Sequence, residues 1–434
     1  MKRRHFLKIL GGSGLMAALP VSLPGLIPVA RAADVTPWQG LVLLSVNLAS
    51  GQDQSSWTDP RNDPEVNQYA RNGQAGKAGN LWYAPLGENR EFFEKYYHRM
   101  MVINGIDLQT NSHSGARQHI QTGKLADGFP SLMALYAATA GQGLPLPWLR
   151  LGGPGFTGNI QPYTNLNDGV NLASLADPNA YNKGTSYFRA TDWELLNRYR
   201  LARLRRLMAG GNGNLPREQR QIEQMYEARL NQKLFFRLKE KLPSSFDYER
   251  ASNRVERVMN QVHKALVCFD AGVTVAAGVE TPGNWDTHAS HDAKIDDLCI
   301  NLTSVVDYIW SKAEQMGVAD RLLVHIGSDV GRTPRYNSRN GKDHWKVSSA
   351  VLMMKNQPWT NRIVGVSGRK HELTALNPQT LQPDTSGITL RPAHIHRTIR
   401  RILGIDQHPL AQKYEYAEAE LDLLNPGVQS PFSA

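Results

Sequence analysis

Short apolar runs alternate with longer amphipathic stretches along this chain. Leu41 to Leu48 is an apolar run of the kind that forms a strand buried on both faces. Met100 to Asn104 is a second strand candidate, and its loop, Gly105 to Ser114, leads into a helix starting near Gly115. Further strands are expected at Val273–Ala277, Leu322–Ile326 and Ala350–Met354. Helices are expected at Ile295–Met316 and at His394–Leu403, the latter opened by Pro392 and stopped by Gly404. Residues 141–190 are rich in Gly, Pro and Asn and read as long loops. From 192 to 265 the period becomes helical: Leu201, Leu204 and Met208 share a face, and Leu230, Leu234 and Leu238 continue it after the Gly-rich turn at 210–214. Strands alternating with helices predict a three-layer α/β/α sandwich with a mostly parallel central sheet and a helical insertion.

The N-terminus reads as an address. An Arg pair, Arg3-Arg4, is followed by a weakly apolar stretch and by Ala30-Arg31-Ala32, a small-x-small cleavage site. This is a twin-arginine export pattern. It predicts a leader at 1–32, passage through the twin-arginine translocase in the folded state, and a periplasmic or secreted domain at 33–434. Only two cysteines are present, Cys268 and Cys299. Both lie in apolar patterns and read as small buried hydrophobes.

Composition changes the picture mainly by exclusion. At 41% hydrophobic and 20% charged residues, the chain is neither disordered nor a disulfide scaffold. No apolar run beyond the leader is long enough for a bilayer, so no stable membrane span is expected after cleavage. The formal net charge is +10, and half of it belongs to the leader through Lys2, Arg3, Arg4, Lys8 and Arg31. Residues 198–241 hold twelve Lys or Arg against four Asp or Glu. The body is therefore mildly acidic and carries one basic helical section, suited to guiding an anionic small-molecule or polymer substrate. An exported chain is not expected to meet nucleic acid.

In sheets of this kind ligands bind beyond the carboxyl ends of the strands. Acids and histidines gather there. Asp53 follows the first strand, Asp286 and His288 follow another, Asp329 follows Leu322–Ile326, and Asp343-His344 stand a loop later. Carboxylate oxygen and imidazole nitrogen are ligands for divalent cations, and two ions about 4 Å apart can clamp an oxyanion. Each residue also has an ordinary structural reading. Asp53 can cap a turn, Asp286 and His288 can cap the next helix, and Asp329 can pair with Arg332. The case for a metal rests on the set. Other chemistries leave less trace. Beyond the leader there is no Gly-x-Ser-x-Gly elbow. There is also no P-loop, no Gly-x-Gly-x-x-Gly opening a helix, and no Cys or Ser followed by x-Pro-x-Arg.

Several motifs together resemble the bacterial exported proteins of domain-of-unknown-function family 1501. They are the twin-Arg leader, Gly51-Gln52-Asp53, Trp285-Asp286-Thr287-His288, Ser328-Asp329-Val330-Gly331-Arg332, Gly341-Lys342-Asp343-His344-Trp345 and the closing Thr398 to Asp406. That family is similar in architecture to the alkaline phosphatase and sulfatase superfamily, which implies a two-metal site of Zn, Mn, Ca or Mg at the strand ends. On that analogy Asp53, Asp286, His288, Asp329, Asp343 and His344 are the ligands. The nucleophile falls within Ser112-His113-Ser114, and Arg332 or Lys342 steadies developing charge. The sequence departs from the pattern at Ser50 to Asp53, where the family usually has Gly-Gly-Asn-Asp. It departs at Asp329, where a Glu is usual, and at the nucleophile position, which falls on His113. The expectation is an exported metal-dependent hydrolase of phosphate or sulfate esters. The alternative is a catalytically degenerate relative that binds an anionic polymer or a partner protein.

Overall fold

The first apolar run forms strand β1 (Val42–Leu48), whose seven residues are all buried. Seven more strands join it: β2 (Met100–Asp107), β3 (Trp148–Arg150), β4 (Thr164–Asn165), β5 (Ala276–Glu280), β6 (Leu322–Ser328), β7 (Val347–Met353) and β8 (Arg362–Val364). Their order across the sheet is β8-β2-β7-β6-β1-β5-β3-β4. The computed structural model describes residues 36–166, 171–181, 185–209 and 215–425. The leader expected at 1–32 and the turn expected at 210–214 lie outside the described residues. From Val35 onward the chain forms one unit.

The sheet is mostly parallel, as the sequence predicts, and β7 is the exception. It runs antiparallel to both β2 and β6. The reversal matters for the site. It brings the start of β7, and Asp343-His344 just before it, to the edge where the parallel strands end.

Helices cover both faces, as expected of a sheet whose strands are apolar throughout. The labelled helices are α1 (Asn89–Tyr96), α2 (His113–Thr122), α3 (Leu132–Thr139), α4 (Ala190–Ala209), α5 (Pro216–Leu230), α6 (Gln232–Lys241), α7 (Arg254–Asp270), α8 (Asp292–Gln315) and α9 (Pro392–Ile402). One layer is α2, α3 and α9, and the other is α1, α7 and α8. The expected α/β/α sandwich is therefore present.

Two boundaries move. The helical insertion expected to reach 265 ends earlier, because α7 belongs to the body. Every residue from Val258 to Phe269 in α7 is buried, so the helix is packed into the body rather than standing on its surface. The loop-rich segment at 141–190 also contributes structure, since β3 and β4 extend the sheet along one side. The remaining insertion, α4 to α6, is a cap. Among the described side chains of α4 only Asn197 and Leu204 are buried.

Candidate metal centre

Three loops at the carboxyl edge converge on one point. The loop after β2 ends at His113, the first residue of α2. The loop after β5 carries Asp286 and His288, and the approach to β7 carries His344. From Asp286 Oδ1 it is 2.9 Å to His288 Nε2, 3.2 Å to His344 Nε2 and 3.8 Å to His113 Nε2. One ligand atom from each of His113, Asp286 and His344 lies within 4.8 Å of the others, as a metal ion would require. The four side chains are between 25% and 33% exposed, so the point is open to solvent.

The outer nitrogen of each imidazole is fixed. His113 Nδ1 lies 2.9 Å from Asp329 Oδ2, His288 Nδ1 2.7 Å from Asp343 Oδ1, and His344 Nδ1 2.9 Å from the Asn111 carbonyl. Carboxylate and carbonyl oxygens only accept, so Nδ1 carries the hydrogen in all three rings. In the neutral imidazole this leaves the Nε2 lone pair pointing inward. Nitrogen lone pairs around one carboxylate oxygen are the donor types a zinc-like cation takes, with the outer-nitrogen support that metal-bound histidines carry. His113, Asp286 and His344 lie close enough to share an ion, and His288 Nε2 stands beside the same oxygen. The residues therefore fit a metal ion.

Local chain geometry explains the placement. His113 and Arg117 are one turn apart on α2 and both reach Asp329, whose Oδ2 accepts from Arg117 Nη2 at 3.2 Å. Asp329 Oδ1 accepts from the Val330 amide. Asn337 donates to Asp343 Oδ1 and to the His288 carbonyl, tying those two loops together. Gly341 lies against the same His288 carbonyl, and a Cβ there would collide with it.

Arg332 is fully buried and its guanidinium is enclosed. It donates to the carbonyls of Gly51, Ser50 and Lys342, and Nη2 stands 2.7 Å from Asp286 Oδ1. Gly51, at φ +86°, leaves room for that guanidinium, since a Cβ would overlap Nη2 and Val330. Burial raises the Asp286 pKa, but Arg332 and then His288 outweigh it and hold the carboxyl below its usual range.

The sequence-predicted residues thus divide three ways. Asp286, His288 and His344 converge as expected of ligands. Asp329 and Asp343 reach the centre through His113 and His288, as acceptors behind the rings. Asp53 is not brought to the cluster. It caps a short turn by accepting from the Ser55 amide, the ordinary reading of an Asp in that loop. Its Oδ2 stands 2.7 Å from Lys342 Nζ and 3.0 Å from His291 Nε2. Burial raises its pKa, but Lys342 and His291 overcome this and hold it well below the usual value. Asp53, expected as a ligand at the first strand, thus faces an ammonium instead, and among the described residues one group, His113, Asp286 and His344, is close enough together to hold an ion. Lys342 and Arg332, expected to meet developing charge, are buried in structural roles.

Ser112 and Ser114 lie exposed on the N-terminal turn of α2 and bond to each other at 3.0 Å. His113, expected near the nucleophile, instead turns its Nε2 toward Asp286 and His344. The carboxyl-edge rule could have assigned it there, because it follows β2 as Asp286 follows β5. Arg117 and Asn337 carry no comparable sequence signal.

The chain belongs to the family described as Protein of unknown function (DUF1501), which matches residues 67–355. No curated protein sequence matches it. Three solved structures are similar at low overall superposition. The PsFucS1 sulfatase from Pseudoalteromonas sp. is 9% identical with a TM-score of 0.42, over 90% of this chain and 73% of that one. Ps i-CgsB in complex with k-i-k-neocarrahexaose is 9% identical with a TM-score of 0.38, over 87% and 77%. A TAB5 alkaline phosphatase mutant with Mg bound in its M3 site is 10% identical with a TM-score of 0.32, over 72% and 91%.

Proposed function

We propose that the protein is an exported metal-dependent hydrolase of phosphate or sulfate esters, with His113, His288, His344 and Asp286 holding one divalent cation. The observation that carries this reading is the fixing of three imidazoles through Nδ1 while their Nε2 atoms face one carboxylate oxygen. A divalent cation in such a set supplies Lewis acidity toward an ester oxygen and lowers the pKa of a water. The chain's own groups supply the rest. Arg332 holds Asp286 in place and ionised. Arg117 is 39% exposed and spends one nitrogen on Asp329, so it offers positive charge at the rim for an anionic ester.

Among the described residues no serine or threonine hydroxyl bonds to the four converging groups. That favours attack by water over a covalent intermediate. It also favours the second reading, a metal-binding relative without turnover that holds an anionic ligand. In both readings the leader sends the protein out of the cytoplasm already folded and loaded.

Elemental analysis of the purified mature protein, followed by assay against aryl phosphates and aryl sulfates with Zn, Mn, Ca or Mg added, separates these. One bound ion with metal-dependent turnover supports the hydrolase. One ion without turnover supports the binding protein. No stoichiometric ion defeats both.

A further inference from the structure

Ten large apolar or aromatic side chains stand strongly exposed among the described residues, and nine lie between Tyr181 and Phe236. Tyr199 is 66% exposed, Phe236 63% and Met225 54%. Single exposed hydrophobes are ordinary, but a concentration on one part of a molecule marks a binding surface. The same part carries the basic excess of residues 198–241, and Arg198, Arg203, Arg205 and Arg206 are exposed on α4.

A groove of about 270 Å³ opens in this cap, lined by Leu175, Trp193, Met225, Phe235, Phe236 and Arg229 among others. Arg229 is half-buried there. Burial and then the nearby Arg200 guanidinium push its pKa below the usual arginine value. Arg200 lies over the Trp193 ring, 5.3 Å from its centroid. Asp177 also borders the groove, but its carboxylate is taken by Lys239 at 2.8 Å. Two guanidiniums therefore stand at an apolar groove, and among the described residues no carboxylate pairs with either.

Three occupants can be weighed by chemistry. A soluble polyanion satisfies the arginines but leaves Met225 and Phe236 in water. A neutral protein face covers the apolar groups but offers the two guanidiniums no counter-charge, and burying a charge without one is costly. An anionic phospholipid surface satisfies both, with phosphate for the arginines and acyl chains for the apolar groups. Among the described residues no helix is long and apolar enough to cross a membrane, so such an attachment is to the surface.

We propose that the cap of α4, α5 and α6 is a peripheral docking surface for anionic phospholipid, with Trp193, Met225 and Phe236 entering the lipid interface and Arg200 and Arg229 taking a headgroup phosphate. The test is flotation of the full mature chain with phosphatidylcholine vesicles and with vesicles that also contain phosphatidylglycerol. Binding is expected with phosphatidylglycerol only, and it weakens as salt is raised. The double substitution Arg200→Gln/Arg229→Gln weakens it on the order of 25-fold, about fivefold per arginine. Phe236→Ser alters an exposed side chain, so its melting temperature stays at the wild-type value while binding falls roughly tenfold. Equal binding to both vesicles overturns the proposal, as does binding indifferent to Phe236→Ser. Retention on dextran sulfate with no vesicle binding also overturns it, in favour of a soluble polyanion. A dimer that Phe236→Ser dissociates overturns it in favour of self-association.

Discussion

The Nε2 atoms of His288 and His344 stand 3.1 Å apart, while the Nδ1 of each ring faces an oxygen that can only accept. Two neutral imidazoles so held would point lone pairs at each other across a hydrogen-bond distance. A cation between them, proton or metal, converts that repulsion into attraction. Removing one ring should therefore cost the cation. His113→Ala, His288→Ala and His344→Ala are each expected to bring bound divalent metal from about one ion per chain to well below it. Asp53→Asn should leave the stoichiometry unchanged, because Asp53 faces Lys342 and His291. Elemental analysis after gel filtration reads both, and loss of metal in Asp53→Asn would return that residue to the ligand set.

The acceptors behind the rings should matter without touching the ion. Asp343 holds His288 Nδ1 at 2.7 Å, and that bond outweighs burial and keeps the Asp343 carboxyl below its usual pKa. Asp343→Asn and Asp329→Asn keep the shape but weaken the acceptor and free the tautomer. Loss of such support typically costs 10- to 100-fold in metal affinity. Competition against a chelator measures it. An unchanged dissociation constant in both variants would mean that the rings are held by packing alone.

Gly341 tests the loop geometry independently of any ligand atom. A Cβ at this position would collide with the carbonyl of His288 and the amide of Ala289. Gly341→Ala is expected to displace His288 and lower metal affinity, with the sheet intact by circular dichroism. Wild-type affinity in this variant would show that the His288 loop tolerates the shift.

The sequence made the sheet legible because β1, β2 and β6 are dense apolar runs, and it made most of the site legible because function gathers after such runs. It could not separate ligands from supports. Asp343 and His344 are neighbours in sequence, but one lies behind His288 and the other faces Asp286. That difference is set by the antiparallel entry into β7, which no periodicity reveals. Asp53 misled because a carboxylate after a central strand looks the same whether a metal or an ammonium faces it. The deciding residue, Lys342, is 289 positions away. The helix at 254–270 misled for another reason: helical period continues from cap to body, and only burial distinguishes them.

Lys342 gives the sharpest stability test. Its Nζ is fully buried and donates to Asp53 Oδ2, to Ser55 Oγ at 3.0 Å and to Asn67 Oδ1 at 3.2 Å. Lys342→Met leaves the Asp53 carboxylate buried against the Ser55 and Ser56 hydroxyls and the His291 ring, which burial keeps below the usual histidine pKa. Breaking a buried pair from one side costs about 3–5 kcal/mol. Asp53→Asn combined with Lys342→Met removes both charges and should recover part of that loss. Denaturant titration of the two single variants and the double closes the cycle. Strict additivity would mean that the pair contributes nothing as a pair.

The buried histidines set how stability depends on pH. Burial pushes His325 down to about 4 and His396 down to about 3. In the unfolded chain both titrate near 6.5. Between 6.5 and those folded values the unfolded state binds more protons than the native state, so stability falls as pH falls, by about 1.4 kcal/mol per unit for each ring. At pH 5 each ring should therefore have cost about 2 kcal/mol relative to pH 7.5. Carboxylates such as Asp53 are held below their usual value, so their contribution is lost at lower pH still and does not mask the effect. Among the described residues His325 Nε2 has no hydrogen-bond partner, so His325→Leu strands no group on that side. The variant should show a shallower decline between pH 6.5 and pH 5, read as the difference from wild type under the same chelating buffer. Parallel stability curves for the two proteins would rule out His325 as a source of the acid sensitivity.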